Sequence, residues 1–216
     1  MTATFRTVVW DLDGTIADTV PLIRDSLRHT ARTVLGKAPD DETLFRHIFM
    51  PLETQMAALD PQRVDELTAA YLEYNHAISR QRLAAHEGMV ELVRELADGG
   101  VPQGLASSKS RAGIDLALGI LGIGDAFGAV VTSDDVAAHK PDPEPILRAL
   151  QLLGCPADGA CYVGDALTDI ASATAAGVVP VAVAWGAFGA DELRANGAFA
   201  VAETADDLRV ILGAAG

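Results

Sequence analysis

The chain has very little of three things: lysine, cysteine and long apolar runs. Lys37, Lys109 and Lys140 are its only lysines. With 30 acidic residues against 16 lysines and arginines, the formal charge is −14. A surface that acidic repels a phosphate backbone, which argues against nucleic acid as a partner. A small anionic substrate fits only where a metal ion or one of the scarce cations reverses the local field. Cys155 and Cys161 make neither a disulfide framework nor a CxxC metal site, and read as free thiols in a reducing compartment. No stretch approaches the roughly 20 apolar residues of a membrane span. The first apolar run, Val8-Val9-Trp10, is too short for a signal peptide and meets acids at once. The expectation is a soluble, cytoplasmic protein with no membrane partner. Half of the 216 residues are hydrophobic, which rules out general disorder and suits one domain with a modest insertion.

Residues 5–10 are short, β-branched and apolar, and stop at Asp11-Leu12-Asp13-Gly14-Thr15, the pattern of a buried strand ending in a turn. From residue 21 to 35, Leu22, Ile23, Leu27, Ala31, Val34 and Leu35 recur at helical spacing, with Pro21 suited to the first turn and Gly36 to the stop. Residues 40–86 read as helices broken at Pro51 and Pro61, the longest over 63–83, with no strand. Beyond them, apolar runs at 104–106, 129–131, 160–163 and 178–184 alternate with helices near 88–98, 110–121, 143–153 and 168–176. That alternation predicts an α/β fold: a doubly wound (Rossmann-like), mostly parallel sheet with helices on both faces. The chain divides into a core over 1–16 and 87–216 and an inserted α-helical cap domain over 17–86. The Gly/Ala-rich tail at 213–216 is expected to fray.

In open parallel sheets, ligands collect at the carboxyl ends of the strands. Asp11 and Asp13 follow the first strand, Ser107-Ser108-Lys109 the second, and Gly164-Asp165 the fourth, with Asp169 four residues on. The third is followed by 132–135 and then His139-Lys140-Pro141-Asp142-Pro143. Carboxylates about 4 Å apart repel by roughly 4 kcal/mol per pair at an effective dielectric of 20, so they need a cation or a proton between them. Oxygen donors of this kind suit magnesium, which takes one or two carboxylates plus substrate phosphate oxygens. An aspartate nucleophile can then form an aspartyl-phosphate. A second aspartate two residues on can protonate the leaving oxygen and later deprotonate water. Lys109 stays open between surface and site. Gly122-Ile123-Gly124 lacks the third glycine of a dinucleotide motif, no P-loop is present, and the five histidines have no zinc spacing.

Asp11-Leu12-Asp13-Gly14-Thr15 resembles the DxDGT signature of the haloacid dehalogenase superfamily of phosphohydrolases. Ser107, Lys140 before Pro141-Asp142-Pro143, and Gly164-Asp165-Ala166-Leu167-Thr168-Asp169 follow in that family's order. The helical insertion after the first motif resembles the phosphoglycolate-phosphatase-like branch. So do Trp185-Gly186, Asp191-Glu192-Leu193 and Ala205-Asp206-Asp207-Leu208 in the tail. The resemblance implies Asp11 as nucleophile and metal ligand, and Asp13 as acid/base and, through its carbonyl, a second ligand. It implies Lys140 as the stabilising cation and Asp165 as a magnesium ligand, with Asp169 ligating or supporting. Thr15 and Ser107 would bind phosphoryl oxygens, with Ser108 a further candidate. Ser107 could instead cap the next helix, and Asp169 could be a first-turn acid complementing the dipole.

The implied function is a magnesium-dependent phosphatase hydrolysing a small phosphate monoester, phosphoglycolate-like or another small metabolite, through an aspartyl-phosphate. A monomer or weak homodimer is expected. Dehalogenases and phosphonate hydrolases of the superfamily lack the second aspartate present here as Asp13. A sugar-phosphate mutase is the first alternative, but Ile23 stands where that branch carries a histidine. A receiver-type phospho-acceptor module is the second, but its acceptor follows a later strand and it has no such insertion. The cap loop at 46–52 is expected to read the leaving group. Arg46 is the candidate partner for a carboxylate or second phosphate. Phe49 stands where the phosphoglycolate type carries glycine, which suggests a bulkier, more apolar lid.

Overall fold

The computed structural model describes residues 5–48 and 50–213. Strand β1 (Thr7–Trp10) is buried on both faces, so its sequence is an unbroken apolar run rather than an alternation. Val8 and Trp10 enter one apolar cluster and Val9 the other. Burying Trp10 contributes on the order of 4 kcal/mol at about 25 cal/mol per Å². Its indole N–H donates to Gln103 Oε1 at 2.9 Å, and Gln103 Nε2 donates to the Val93 carbonyl at 2.8 Å, so neither polar group is stranded. With β2 (Gln103–Ala106), β3 (Ala129–Val131), β4 (Ala160–Gly164), β5 (Val179–Val183) and β6 (Ala200–Ala202), it forms a six-stranded sheet in the order β3-β2-β1-β4-β5-β6. Every pairing is parallel. The sixth strand is not among the apolar runs read from the sequence, because three residues of Ala-Val-Ala carry little β signal.

Between β1 and the rest of the sheet the chain forms α1 (Val20–Leu35), α2 (Asp41–Phe45), α3 (Leu52–Leu59) and α4 (Val64–Arg82). Pro21 stands in the first turn of α1, and Gly36 ends it at a φ of 78°, where a side chain would be strained. The apolar stripe Ile23, Leu27 and Ala31 packs with Met56, Leu67 and Tyr71 into a cluster separate from the sheet's own, which makes these helices a cap. Asn75 of α4 donates to Ser26 of α1 at 3.0 Å inside that packing. The outgoing and returning segments pair where they cross: the Asp18 N–H donates to the Ala84 carbonyl and the His86 N–H to the Ile16 carbonyl, each at 2.9 Å.

The remaining helices wrap the sheet. Helices α5 (Met89–Asp98), α6 (Arg111–Leu121) and α10 (Ala205–Leu212) bury their apolar stripes against the face that holds Trp10. Helices α7 (Glu144–Leu153) and α8 (Leu167–Ala175) cover the face that holds Val9, and α9 (Ala190–Ala195) packs beside α8. The sheet is thus doubly wound, as the alternation of runs predicts. Cys155 and Cys161 are free thiols. No helix among the described residues is long and apolar enough to cross a membrane. Phe49 and the tail at 214–216 lie outside the described residues.

Candidate active site

Because β1 lies between β2 and β4, the residues that leave these three strands emerge side by side. Asp11, Ser107 and Asp165 are those residues. Asp11 is 7% exposed; its Oδ1 accepts the Leu12 N–H at 2.8 Å, and its Oδ2 lies 2.9 Å from Lys140 Nζ. Burial pushes its carboxyl up to about 6, against the downward pull of Lys140. Lys140, 3% exposed, arrives from the loop before α7 and also reaches Asp169 Oδ1 at 2.6 Å and the Tyr162 hydroxyl at 3.0 Å. Burial alone would lower its pKa, but Asp11 and Asp169 outweigh burial and hold the ammonium well above its ordinary value.

Asp165 is fully buried. Its Oδ1 accepts the Thr15 hydroxyl at 3.2 Å and its Oδ2 the Ala187 N–H at 2.8 Å. Burial, reinforced by Asp169 and Asp11, raises its carboxyl well above the usual range. A Cβ added at Gly14 or Gly186 would collide with this carboxylate, so glycine lets the backbone close around it. Asp169 has both oxygens engaged: Oδ2 accepts the N–H groups of Asp165 and Ala166 at 3.1 and 2.9 Å, capping α8, while Oδ1 holds Lys140. One carboxylate therefore serves as helix cap and as counter-ion.

Carboxylate oxygens of Asp11, Asp165 and Asp169 all lie within 4.8 Å of one another. Three buried acids face one buried ammonium, an excess of two negative charges when all are ionised. A hard divalent cation fits both that charge and that all-oxygen donor set. Asp11 and Asp165 could hold it. Asp169 stands within the same cluster and also holds Lys140.

Asp13 sits toward the cap, with both oxygens 3.1 Å from Lys109 Nζ. That pairing spans 96 positions and no local signal announces it. The Lys109 stem lies in space that a Cβ at Gly113 would fill. Ser107 and Ser108 line the same cavity, and the buried Ser108 hydroxyl has no partner. Two sequence candidates stand elsewhere. Thr15 does not line the cavity; it donates to Asp165, and its carbonyl accepts the Trp185 indole N–H at 3.0 Å. Arg46 is exposed, 3.6 Å from Glu42 and away from the cavity.

The cavity, of about 410 Å³, lies between the carboxyl edge of the sheet and the cap. Asp11, Asp13, Ser107 and Lys140 form its floor; Ile48, Gln55, Thr68, Tyr71, Leu72 and Asn75 stand on the cap side. Of the expected cap loop at 46–52, Ile48, Met50, Pro51 and Leu52 line the cavity, but the sequence reading names none of Gln55, Thr68, Tyr71, Leu72 or Asn75, because which helix faces meet the core is a property of packing. Tyr162, which braces Lys140 and donates to the Ala106 carbonyl at 2.8 Å, is likewise hidden in an ordinary strand.

Sequence comparison assigns a class to this capped parallel sheet with its buried acid cluster at the carboxyl edge. The chain belongs to the haloacid dehalogenase-like hydrolase family, whose pattern matches residues 8–183. It is similar to the pyrophosphatase PpaX of Bacillus velezensis, 34% identical over 206 residues and 95% of each chain. PpaX of Bacillus cereus is 35% identical over 180 residues, 83% of each chain. A solved hydrolase from Pseudomonas syringae superposes with a TM-score of 0.80 at 25% identity, over 94% of this chain and 95% of that one. A haloacid dehalogenase-like family hydrolase from Streptococcus pneumoniae shares the fold, with a TM-score of 0.80 at 24% identity over 98% of both chains.

Proposed function

We propose that the chain is a magnesium-dependent phosphatase that hydrolyses a small phosphate monoester through an aspartyl-phosphate on Asp11. The observation that carries this reading is the Asp11 carboxylate at the cavity floor, held at one oxygen by Lys140 and at the other by the Leu12 N–H. The core, over 1–16 and 87–216, supplies the reacting groups, and the cap domain over 17–86 covers the substrate.

Asp11 attacks phosphorus, and the bond from phosphorus to the leaving oxygen breaks as Asp13 gives that oxygen its proton. A water molecule then attacks the phosphoenzyme, losing a proton to Asp13, and the Asp11 carboxylate is regenerated. Lys140 and the hydroxyls of Ser107 and Ser108 hold the phosphoryl oxygens as charge spreads onto them. Asp11, the Asp13 carbonyl and Asp165 would bind magnesium, which neutralises phosphoryl charge when present. Thr15 holds Asp165 in place rather than touching substrate, and Asp169 fixes Lys140. Lys109 holds the Asp13 carboxylate beside the cavity. The Bacillus relatives named as pyrophosphatases would, by that name, use the same kind of transfer with phosphate as the leaving group.

Release of inorganic phosphate from phenyl phosphate tests the reading. Wild-type protein with magnesium should turn over many equivalents, which also separates an enzyme from a phospho-acceptor module. Asp11→Asn should lower kcat by about 10⁴-fold or more and leave no acid-stable phosphoprotein. Full activity in Asp11→Asn would discard the mechanism.

A further inference from the structure

The cavity's two walls differ in charge. Among the described residues, no lysine or arginine of the cap lines it. Arg28, Arg46, Arg63 and Arg82 instead pair with Asp41, Glu42, Glu66 and Asp25 of the cap itself. Burial, with Arg80 and Lys109 nearby, holds His76 below its ordinary value. Both lysines of the floor are committed, Lys140 to Asp11 and Asp169 and Lys109 to Asp13. A leaving group carrying its own negative charge would meet Asp13, Glu53 and Asp134 with no uncommitted lysine or arginine on the described walls.

A second observation points to what the wall accepts. Gln55 is 9% exposed, and its amide nitrogen donates to the Met50 carbonyl at 2.7 Å and the Ile48 carbonyl at 3.3 Å. Turning the amide over would set its oxygen against two carbonyl oxygens, so the orientation is fixed. Gln55 Oε1 is then a buried acceptor without a protein partner on a residue of the cavity wall, and Thr68, another residue of that lining, has an unpartnered hydroxyl. A buried acceptor left unpaired is costly, and a hydroxyl on the substrate would satisfy it.

We infer that the leaving group is an uncharged alcohol carrying a further hydroxyl, which donates to Gln55 Oε1, and that anionic leaving groups are disfavoured. This rests on the phosphatase reading above and narrows its substrate class. The carbon skeleton would lie against Ile48 and Leu72, and the cavity's volume suits a small molecule.

The test compares kcat/KM, with magnesium present, for 2-hydroxyethyl phosphate, n-propyl phosphate, phosphoglycolate and pyrophosphate. The expected result is 2-hydroxyethyl phosphate about tenfold above n-propyl phosphate and at least tenfold above both anionic leaving groups. Gln55→Leu should bring the ratio of hydroxyethyl to propyl ester close to one. Because Gln55 also ties down the carbonyls of Ile48 and Met50, Thr68→Arg gives an independent arm. A guanidinium in the wall should raise phosphoglycolate relative to 2-hydroxyethyl phosphate about tenfold. Phosphoglycolate or pyrophosphate turned over as well as 2-hydroxyethyl phosphate by the wild-type protein overturns the inference and leaves the phosphatase reading standing. No phosphate from any of the four, nor from phenyl phosphate, overturns the phosphatase reading itself.

Discussion

The floor and the cap wall of one cavity are built on opposite terms. On the floor each acid has its hydrogen bonds: Lys140 joins Asp11 and Asp169, Thr15 and Ala187 hold Asp165, and Lys109 holds Asp13. On the wall, apolar Ile48 and Leu72 stand with Glu53 and with neutral polar groups, of which Gln55 Oε1 and the Thr68 hydroxyl have no partner. Groups that stabilise a transition state must be aimed before substrate arrives, and charged networks in a water-poor site do that aiming. Groups that read a leaving group must stay free until it binds. The difference predicts that floor substitutions act on kcat and on stability, while wall substitutions act on which ester is used.

The largest effects should come from the two aspartates after β1, and they should differ in kind. Asp11→Asn would remove the proposed nucleophile, so both turnover and phosphoenzyme should vanish. Asp13→Asn keeps the nucleophile but removes the proton donor and base, costing about 10²–10⁴-fold in turnover. Phosphoenzyme should then form slowly and accumulate. Rapid quench with radiolabelled phenyl phosphate distinguishes the two, and an Asp13→Asn enzyme with no detectable phosphoenzyme would remove Asp13 from its assigned role.

Next comes the metal. Stripping with chelator should abolish activity and added magnesium should restore it. Calcium should support turnover about a hundredfold more slowly, because it admits more oxygens at longer distance and shifts the line of attack. Full activity in excess chelator would end the magnesium assignment.

Lys140 and Thr68 set floor against wall in stability. Lys140→Met leaves Asp11 and Asp169 without their cation, and breaking a buried pair of this kind costs about 3–5 kcal/mol. For a chain of this size that is a fall in Tm of roughly 6–20 °C, measured by calorimetry in chelator. Thr68→Val removes a hydroxyl that has no protein partner, so Tm should hold or rise slightly. A Lys140→Met protein as stable as the wild type would mean that the floor network is not what it looks like.

The same contrast explains what could be read in advance. Strands buried on both faces are mostly apolar, so β1, β2, β3, β4 and β5 stand out as runs, while the short β6 does not. The floor is legible because its acids sit immediately after strands, where Asp11-Leu12-Asp13 and Gly164-Asp165 break apolar runs with charge. Chemistry pins those residues to strand ends. Nothing comparable marks the wall: Gln55, Thr68 and Asn75 look like any polar residues on half-exposed helices until α3 and α4 are set over the sheet. Lys109 follows Ser107 closely but finds Asp13 only through the fold, which is why its place stays open in the sequence. Thr15 illustrates a finer limit. The motif puts it near the phosphate position, and only the structure shows its hydroxyl on Asp165.

Arg46 is the smallest and most direct test of the wall. The sequence makes it a candidate for a substrate carboxylate or second phosphate, since it is a cation in the expected cap loop. It also has Glu42 four residues earlier, the spacing of a surface helix pair. In the structure that pair wins: Arg46 is 60% exposed beside Glu42, and the described cavity lining contains no cap arginine. Such exposed pairs contribute about 0.3–0.5 kcal/mol. Arg46→Ala should therefore change kcat/KM less than twofold for both 2-hydroxyethyl phosphate and phosphoglycolate, and shift Tm by no more than about 2 °C. A tenfold loss confined to phosphoglycolate would show that Arg46 swings onto the substrate when the cap closes, and would bring a positive charge to a wall whose described residues include no lysine or arginine.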